Sequence, residues 1–276
     1  MGPGEYLEIY DSHAHYDDKA FDSDRAWLLE KQLPLSGVRC VINMGTRLLT
    51  CASTVGLSDL NPYIFAAVGI HPEEIDDTLP ENWLECLRVW LENGDAVAVG
   101  EIGLDYHWPD SAPRERQREI FAAQLALAKE LNYPVCVHDR DAHQDVLALL
   151  REYRPQGVVH CFSGSAEMAR EIVDLGMYIG IGGAVTFKNA KKILRVAESI
   201  PLDRLLLETD APYMAPEPYR GKRCDSSLIP HTAAKIAELR GIATREVLEA
   251  SNANIRRLFR LEGRVPRASA PSPLAY

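Results

Sequence analysis

No run of apolar residues in the sequence approaches the roughly 18 to 20 that a membrane-crossing helix needs. The opening MGPGEYLEIYDSH lacks the basic stretch and apolar run of a secretory signal. Membrane and secreted classes are set aside on that basis, and the expected location is the cytoplasm. Basic charge is also short: 30 Lys and Arg stand against 40 Asp and Glu, a net charge of −10. A protein that neutralises many phosphates of duplex DNA carries an excess of cations, so a large basic groove is excluded while a small phosphate-reading site is not. Cysteine is sparse. The six present (Cys40, Cys51, Cys86, Cys136, Cys161, Cys224) form no C-x-x-C pair, and several sit among apolar neighbours. They read as free buried thiols, not as disulfides or zinc ligands. Glycine and proline, at 18 and 17 residues, are too few for a collagen-like or low-complexity chain. No G-x-G-x-x-G opens the first crossover segment, which removes the dinucleotide-binding fingerprint.

What is present is alternation. Short runs rich in Val and Ile fall at residues 7–10, 38–43, 64–70, 96–102, 134–138, 157–161, 177–181 and 204–208, with helix-like stretches between them. That is the pattern of buried parallel strands joined by crossover helices. Segment 114–131 puts Phe121, Leu125 and Ala128 on one face and Glu, Arg and Gln on the other, as a helix covering a sheet requires. Eight such alternations predict an α/β fold, a closed (β/α)₈ TIM barrel, in preference to an open doubly wound sheet. Gly180, Gly182 and Gly183 at the end of the seventh run read as a tight strand exit, not a nucleotide loop. Residues 1–261 are predicted as one barrel domain. Residues 262–276, with three prolines and few apolar side chains, are predicted as a disordered Pro-rich tail.

The informative feature is where ionisable residues fall. His13 and His15 follow the first run in YDSHAH, Glu101 closes the fourth in VAVGEIG, His138 ends the fifth, His160 the sixth, and Asp210 follows the eighth in LLLETD. In a barrel these strand ends meet at the C-terminal face, where active sites of the fold are built. One histidine after a strand is usually structural; four of eight histidines gathered there point to a metal site. In H-x-H on an extended segment both side chains point to one side, so His13 and His15 can grip one ion. Nitrogen and carboxylate donors without thiolate suit zinc, manganese, iron, nickel or cobalt, with magnesium also open. Six donors exceed the needs of one catalytic zinc and predict two divalent ions about 3.5–4 Å apart. Glu101 is then the bridge, His13, His15 and Asp210 serve one ion, and His138 and His160 the other. Asp210 can orient the attacking water or accept its proton, and the site is that of a hydrolase.

The loop after the eighth run, APYMAPEPYRGKRCDSS, puts Arg220, Lys222 and Arg223 beside that face of an otherwise acidic chain. Barrel loops at this position frequently hold phosphate, although a solvated surface loop is an equal reading. Arg140 and Lys188 add positive charge, and Tyr106 and Trp108 are candidates to stack on a base. His71 in AVGIHPEE is a candidate to orient a ligand or a phosphate, Asp105 a buttress behind a ligand. His107, His143 and His231 receive no role.

At this point the chain resembles the TatD family of metal-dependent hydrolases. The resemblance rests on DSHAH, GIHP, GEIGLDY, HDRDA, HCFSGS, GGAVTFKNAK, LETDAPYMAP, RGKRCDS and the stretch Asn254 to Phe259, and runs from about Tyr10 to Phe259. It implies a metal-dependent barrel of the amidohydrolase-like kind and, in the better-known members, 3′→5′ exonucleolytic deoxyribonuclease activity on single-stranded DNA. The implied metal ligands fall on His13, His15, Glu101, His138, His160 and Asp210. Departures occur at Glu73, where many members have a second His; at Cys224, Asp225 and Ser226, where many have Asn-Glu-Pro; and at His107, where a Tyr is common. The expected function is a metal-dependent deoxyribonuclease acting on single-stranded or frayed DNA through a water activated by two ions. The alternatives are a dinuclear hydrolase of a small ester, lactone, amide or phosphate, and, from another class, a non-catalytic scaffold. Neither a membrane nor an obligate protein partner is indicated.

Overall fold

The structure, a computed structural model, describes residues 8–265. Leu7 of the first predicted strand and residues 266–276 of the predicted tail lie outside the described residues. Eight strands, β1 (Ile9–Ala14), β2 (Val38–Met44), β3 (Ile64–Val68), β4 (Ala98–Asp105), β5 (Val135–Arg140), β6 (Gly157–Val159), β7 (Tyr178–Ile181) and β8 (Leu205–Leu207), pair in parallel, each with the next in chain order. The strands alternate with helices α1 (residues 25–35), α2 (Leu48–Leu60), α3 (Trp83–Asn93), α4 (Arg114–Leu131), α5 (His143–Tyr153), α6 (Ala166–Asp174), α7 (Lys191–Ser199) and α8 (Ile229–Arg240); α9 (Thr244–Phe259) follows. The last seam closes only at its C-terminal end, where Ala14 bridges Ala211, His15 N donates to Ala211 O at 2.8 Å and Asp210 N donates to His13 O at 2.9 Å. This is the (β/α)₈ barrel that the alternation predicts. No helix among the described residues is long and apolar enough to cross a membrane.

Side chains at alternate strand positions fill the interior, with Tyr10, Phe65, Ala98, Cys136, Val158 and Leu206 forming one buried layer. Ile255, Leu258 and Phe259 of α9 complete that layer from below, and Asn254 Nδ2 donates to the carbonyls of Leu202 and Leu205 at 2.9 Å each. A second, larger apolar layer lies between the strands and the outer helices, and Phe121, Leu125 and Ala128 of α4 are buried in it as the helical spacing requires. All six cysteines are free thiols, four of them buried. Gly183 lets the strand exit press against Met214 and Pro216, so the glycines after β7 do serve close packing.

Several strands extend beyond the apolar runs that announce them. β1 continues through Asp11, Ser12 and His13, and β4 and β5 continue through Asp105 and Arg140, pairing Ile102 to Asp105 with Val137 to Arg140. Glu101 therefore lies inside β4, not at its end. β6 is shorter than expected and stops before His160. The longer ends of β1, β4 and β5 share one cause: polar residues at the C-terminal face are paired in the sheet, buried in β1 and β4 and half-buried in β5, so hydrophobicity does not mark where these strands stop.

β4 and β5 approach closely at Gly103, which pairs with His138 at φ 149°. A Cβ there would land on the His138 carbonyl oxygen. Gly103→Ala is expected to lower the unfolding free energy by at least ~1–3 kcal/mol of backbone strain. The check is a lower denaturant midpoint at unchanged slope in urea unfolding.

Candidate metal centre

The interior alternation continues upward from the apolar layer. His138 stands two residues after Cys136 on β5, and His160, just past the end of β6, two after Val158, so each imidazole is the next inward side chain of its alternation. His13 and Glu101 come three residues after the inward Tyr10 and Ala98, and both strands carry a register irregularity there, between Asp11 and Ala14 and between Val99 and Ile102. The extra residue shifts the phase and turns both side chains inward. β3 ends at Val68, and Gly69 has no side chain to block the neighbouring strand. Glu101 N accordingly reaches past β3 to donate to Gly45 O at 2.9 Å.

Glu101 is the hub. Its Oε2 lies 3.3 Å from His13 Nε2 and 3.4 Å from His15 Nε2. Its Oε1 lies 2.7 Å from His160 Nε2, 3.0 Å from His138 Nδ1 and 3.4 Å from His71 Nε2. Asp210 Oδ1 closes the first group at 3.5 Å from His15 Nε2 and 3.8 Å from His13 Nε2. One buried carboxylate thus faces two histidine groups with separate oxygens. The structure brings together all six residues singled out as metal ligands, and His71 joins them as a seventh donor.

Neighbours fix the rings. Met44 O lies 3.2 Å from His15 Nδ1 and Asp105 Oδ2 lies 3.0 Å from His138 Nε2, so the outer nitrogen of each ring donates a proton outward and the inner one is turned toward Glu101. His13 and His160 stack with centroids 3.7 Å apart at 9°. Behind them the carboxylate of Asp11 accepts from His13 N, Thr209 N, Thr209 Oγ1 and Ser226 Oγ at 2.6–3.1 Å, tying β1 to the chain after β8. Burial still pushes Asp11 up to about 6. Glu208, also buried, donates nothing and accepts Cys161 N at Oε1 while Oε2 has no partner; burial pushes it well above the carboxylate range.

The donor set fits divalent ions. Inner nitrogens crowd to 3.2 Å between His13 and His15 and 3.3 Å between His138 and His160, with no water-sized gap between them, which only a shared cation or shared protons stabilise. The charges agree. Burial alone would raise Glu101, but the imidazoles of His160, His71 and His13 hold it well below the carboxylate range, and Asp210 is lowered despite its burial by His15, His13 and His160. Burial lowers His13 to about 4. It would lower His15 and His138 too, but Asp210 and Glu101 raise the first well above its ordinary value, and Asp105 with Glu101 raises the second to about 10.

Of the expected substrate residues, Arg140 ends β5 with its guanidinium 5.0 Å from the exposed Trp108 ring, whose Nε1 donates to Glu73 Oε1 at 3.1 Å. Tyr106 is turned the other way: its hydroxyl donates to Asp145 at 2.7 Å and Arg114 covers its ring. Arg220 and Lys222 are exposed, Arg220 lying 4.3 Å over Phe187. Arg223 is engaged elsewhere, paired through both terminal nitrogens with Asp24 at 2.6 and 2.7 Å. Asp11, Thr209 and Glu208 carry no role in the sequence reading, and Ser226 enters it only as a departure from the family pattern; the available signal was an acidic residue two positions before His13 and another two before Asp210. His107 pairs with Asp141 and His143 with Asp139, away from Glu101.

The family model described as TatD related DNase matches residues 10–260. The metal-dependent hydrolase YabD of Bacillus subtilis (strain 168), named uncharacterized, is 40% identical over 256 residues, covering 92% of this chain and 99% of that protein. The 3′-5′ ssDNA/RNA exonuclease TatD of Klebsiella pneumoniae (strain 342) is 37% identical over 235 residues, 82% of this chain and 89% of the relative. Among solved structures, YJJV, a TatD homolog from Escherichia coli k12, superposes with a TM-score of 0.84 at 34% identity over 93% of this chain and 99% of that one.

Ion uptake must displace protons. In the metal-free protein, with Asp105 and Glu101 raising His138 to about 10 and burial lowering His13 to about 4, His138 is expected to carry a proton at pH 8 and His13 none. Loading with manganese or zinc at that pH is expected to release at least one proton per chain, that of His138. Apparent affinity should rise with pH until His138 has titrated near 10. Titration calorimetry in two buffers of different ionisation enthalpy reads the number, and a value near zero would contradict this account. By the same linkage the raised histidines stabilise the metal-free fold below about pH 6.5, and that stabilisation is lost as pH climbs through their folded-state values.

Proposed function

Because the chain belongs to the TatD-related DNase family of metal-dependent hydrolases, we propose that it cleaves phosphodiester bonds of nucleic acid, trimming DNA from the 3′ ends of single strands or frayed duplexes. The observation that carries the two-ion part is the division of Glu101: Oε2 toward His13 and His15, Oε1 toward His138, His160 and His71. The nucleic-acid part draws support from the activity named for the Klebsiella relative.

In this reading His13, His15 and Asp210 would hold one divalent ion and His138 and His160 with His71 the other, with Glu101 available to both. Such ions, magnesium, manganese or zinc, supply a water acidified to near neutral pH and positive charge beside the phosphate. The remaining work falls to the chain. Asp210, held anionic by its histidine neighbours, accepts the proton of the attacking water. Asp105 and Met44 O keep His138 and His15 in one tautomer, so the donors do not rotate as charge develops. Arg140, Arg220 and Lys222 contact phosphate oxygens; Arg223 steadies their loop through Asp24 instead. The exposed Trp108, backed by Arg140, offers a base its face, a role that Tyr106 with its hydroxyl tied to Asp145 does not share.

The test uses single-stranded, 3′-overhanging and blunt DNA labelled at either end, with magnesium and with manganese, before and after chelation. Stepwise 3′ trimming that stops on chelation is expected. Asp210→Asn should lower kcat by roughly 10²–10⁴-fold. Glu101→Gln should abolish activity and reduce bound metal by elemental analysis. Intact DNA under every condition, with turnover of a small ester or lactone lost in Glu101→Gln, would replace the nuclease by a small-molecule hydrolase.

A further inference from the structure

Cations on this acidic protein are not evenly committed. Arg25, Arg88, Arg151, Arg223 and Arg256 each sit within 4 Å of a carboxylate. Lys188, Lys191, Lys192 and Arg195 are exposed, and among the described residues none of the four has an ion-pair partner. Three of them, Lys191, Lys192 and Arg195 on α7, line a cleft of about 270 Å³ against Ser165, Ala166 and Glu167 at the start of α6. Glu167 is the cleft's acidic member, held below the ordinary carboxylate range first by Ser165 and further by the charges of Arg170 and Arg195. Positive charge therefore exceeds negative charge there, in a chain whose total is −10.

The cleft is joined to the metal centre by fixed contacts. α6 and α7 both begin beyond the C-terminal ends of their strands, on the face that carries His160 and Asp210. The exit from β7 is fastened to the loop after Asp210: Gly183 abuts Met214 and Pro216, and Glu217 N donates to Thr186 Oγ1 at 2.8 Å. Arg220 of that loop lies over Phe187, the residue before Lys188. Arg220, Lys188, Lys191, Lys192 and Arg195 thus lie on one connected stretch of the C-terminal face, from the loop after Asp210 to the start of α7.

We infer that this stretch is a track for the backbone of a single nucleic-acid strand, binding successive phosphates beyond the nucleotide at the metal centre. The inference rests on the phosphodiesterase reading above and adds to it a preference for strands long enough to reach α7. The physical reason is that phosphates of a strand anchored at the centre gain more from unpaired cations than from paired ones, because no existing ion pair has to be broken.

The full-length chain carrying Lys191→Ala, Lys192→Ala and Arg195→Ala tests it, beside a control with the same charge change far from the cleft, Lys31→Ala, Lys129→Ala and Arg245→Ala. Anisotropy of labelled 3- and 12-nucleotide oligothymidylates is measured with chelator present across a salt series, and hydrolysis of a dinucleotide and the 12-mer is measured with manganese. The cleft variant is expected to bind the 12-mer about tenfold more weakly, with a salt slope smaller by about two, since each phosphate contact on a single strand contributes roughly 0.7. Its binding of the 3-mer and its dinucleotide turnover should match wild type, and the control should match throughout. Equal 12-mer binding by wild type and cleft variant at every salt overturns the track, whether or not DNA is cleaved. Loss of 12-mer binding in an enzyme that cleaves neither substrate overturns the nuclease reading and leaves the track as a strand-binding site.

Discussion

A carboxylate buried among five imidazoles is the constraint from which the C-terminal face takes its form. Glu101 cannot be desolvated unpaired, since an isolated buried charge costs far more than the fold can supply. Each local peculiarity around it answers that cost. The irregular register in β4 turns it inward, Gly69 clears its path, and the irregularity in β1 brings His13 to its other side. Among the described residues, the backbone of the β1–β8 seam is joined at His13, Ala14, His15, Asp210 and Ala211. The barrel is therefore completed by the same residues that complete the donor set, so folding and ion binding draw on one group of contacts.

The same logic orders the surroundings by distance from Glu101. Asp105 and Met44 O each hold one proton of one ring; Asp11 holds the backbone of His13, and Thr209 and Ser226 hold Asp11. Among the described residues, the side-chain nitrogens buried around Glu101 have hydrogen-bond partners except His13 Nδ1 and His160 Nδ1, whose rings stack. Further out, charge is either consumed, as in the pair of Arg223 with Asp24, or left uncommitted, as along α7. A net charge conceals this division, because it counts paired and unpaired cations alike. The acidic total is compatible with a phosphate-reading face provided the acids lie elsewhere or are already paired.

The barrel was legible in the sequence because a strand buried on both faces must be continuously apolar and the helices over it must be amphipathic, and both patterns survive in the runs and in segment 114–131. That these six residues converge was legible because five of them fall at or just past strand ends that meet in this fold, while Glu101 comes in from inside β4. What could not be read was phase. His138 and His160 follow simple alternation, but His13 and Glu101 depend on irregularities that a run of letters does not display. Side-chain direction was equally hidden: Arg223 and Tyr106 share the spacing of their neighbours yet turn to Asp24 and Asp145, whereas His71, weighed as a phosphate or orienting residue, faces Glu101.

The departures from the family pattern take on a different meaning in three dimensions. By position in the chain, Cys224, Asp225 and Ser226 follow the basic loop and suggest altered contact with substrate. In the fold Cys224 and Ser226 are buried, and Ser226 donates to Asp11 while its amide donates to the hydroxyl of Tyr16. Asp225 caps the turn that leads into α8 by accepting from Ser227 N. These residues therefore act on the backbone behind His13, and a change among them alters how firmly the donor set is held before it alters what is bound. Glu73 is the departure that does face outward, fixed by Trp108 at the rim beside Arg140. Its carboxylate lies near the ring to which a base would be offered under the proposed function, so it is this residue, not the trio after the basic loop, that would add negative charge on the path of an incoming phosphate.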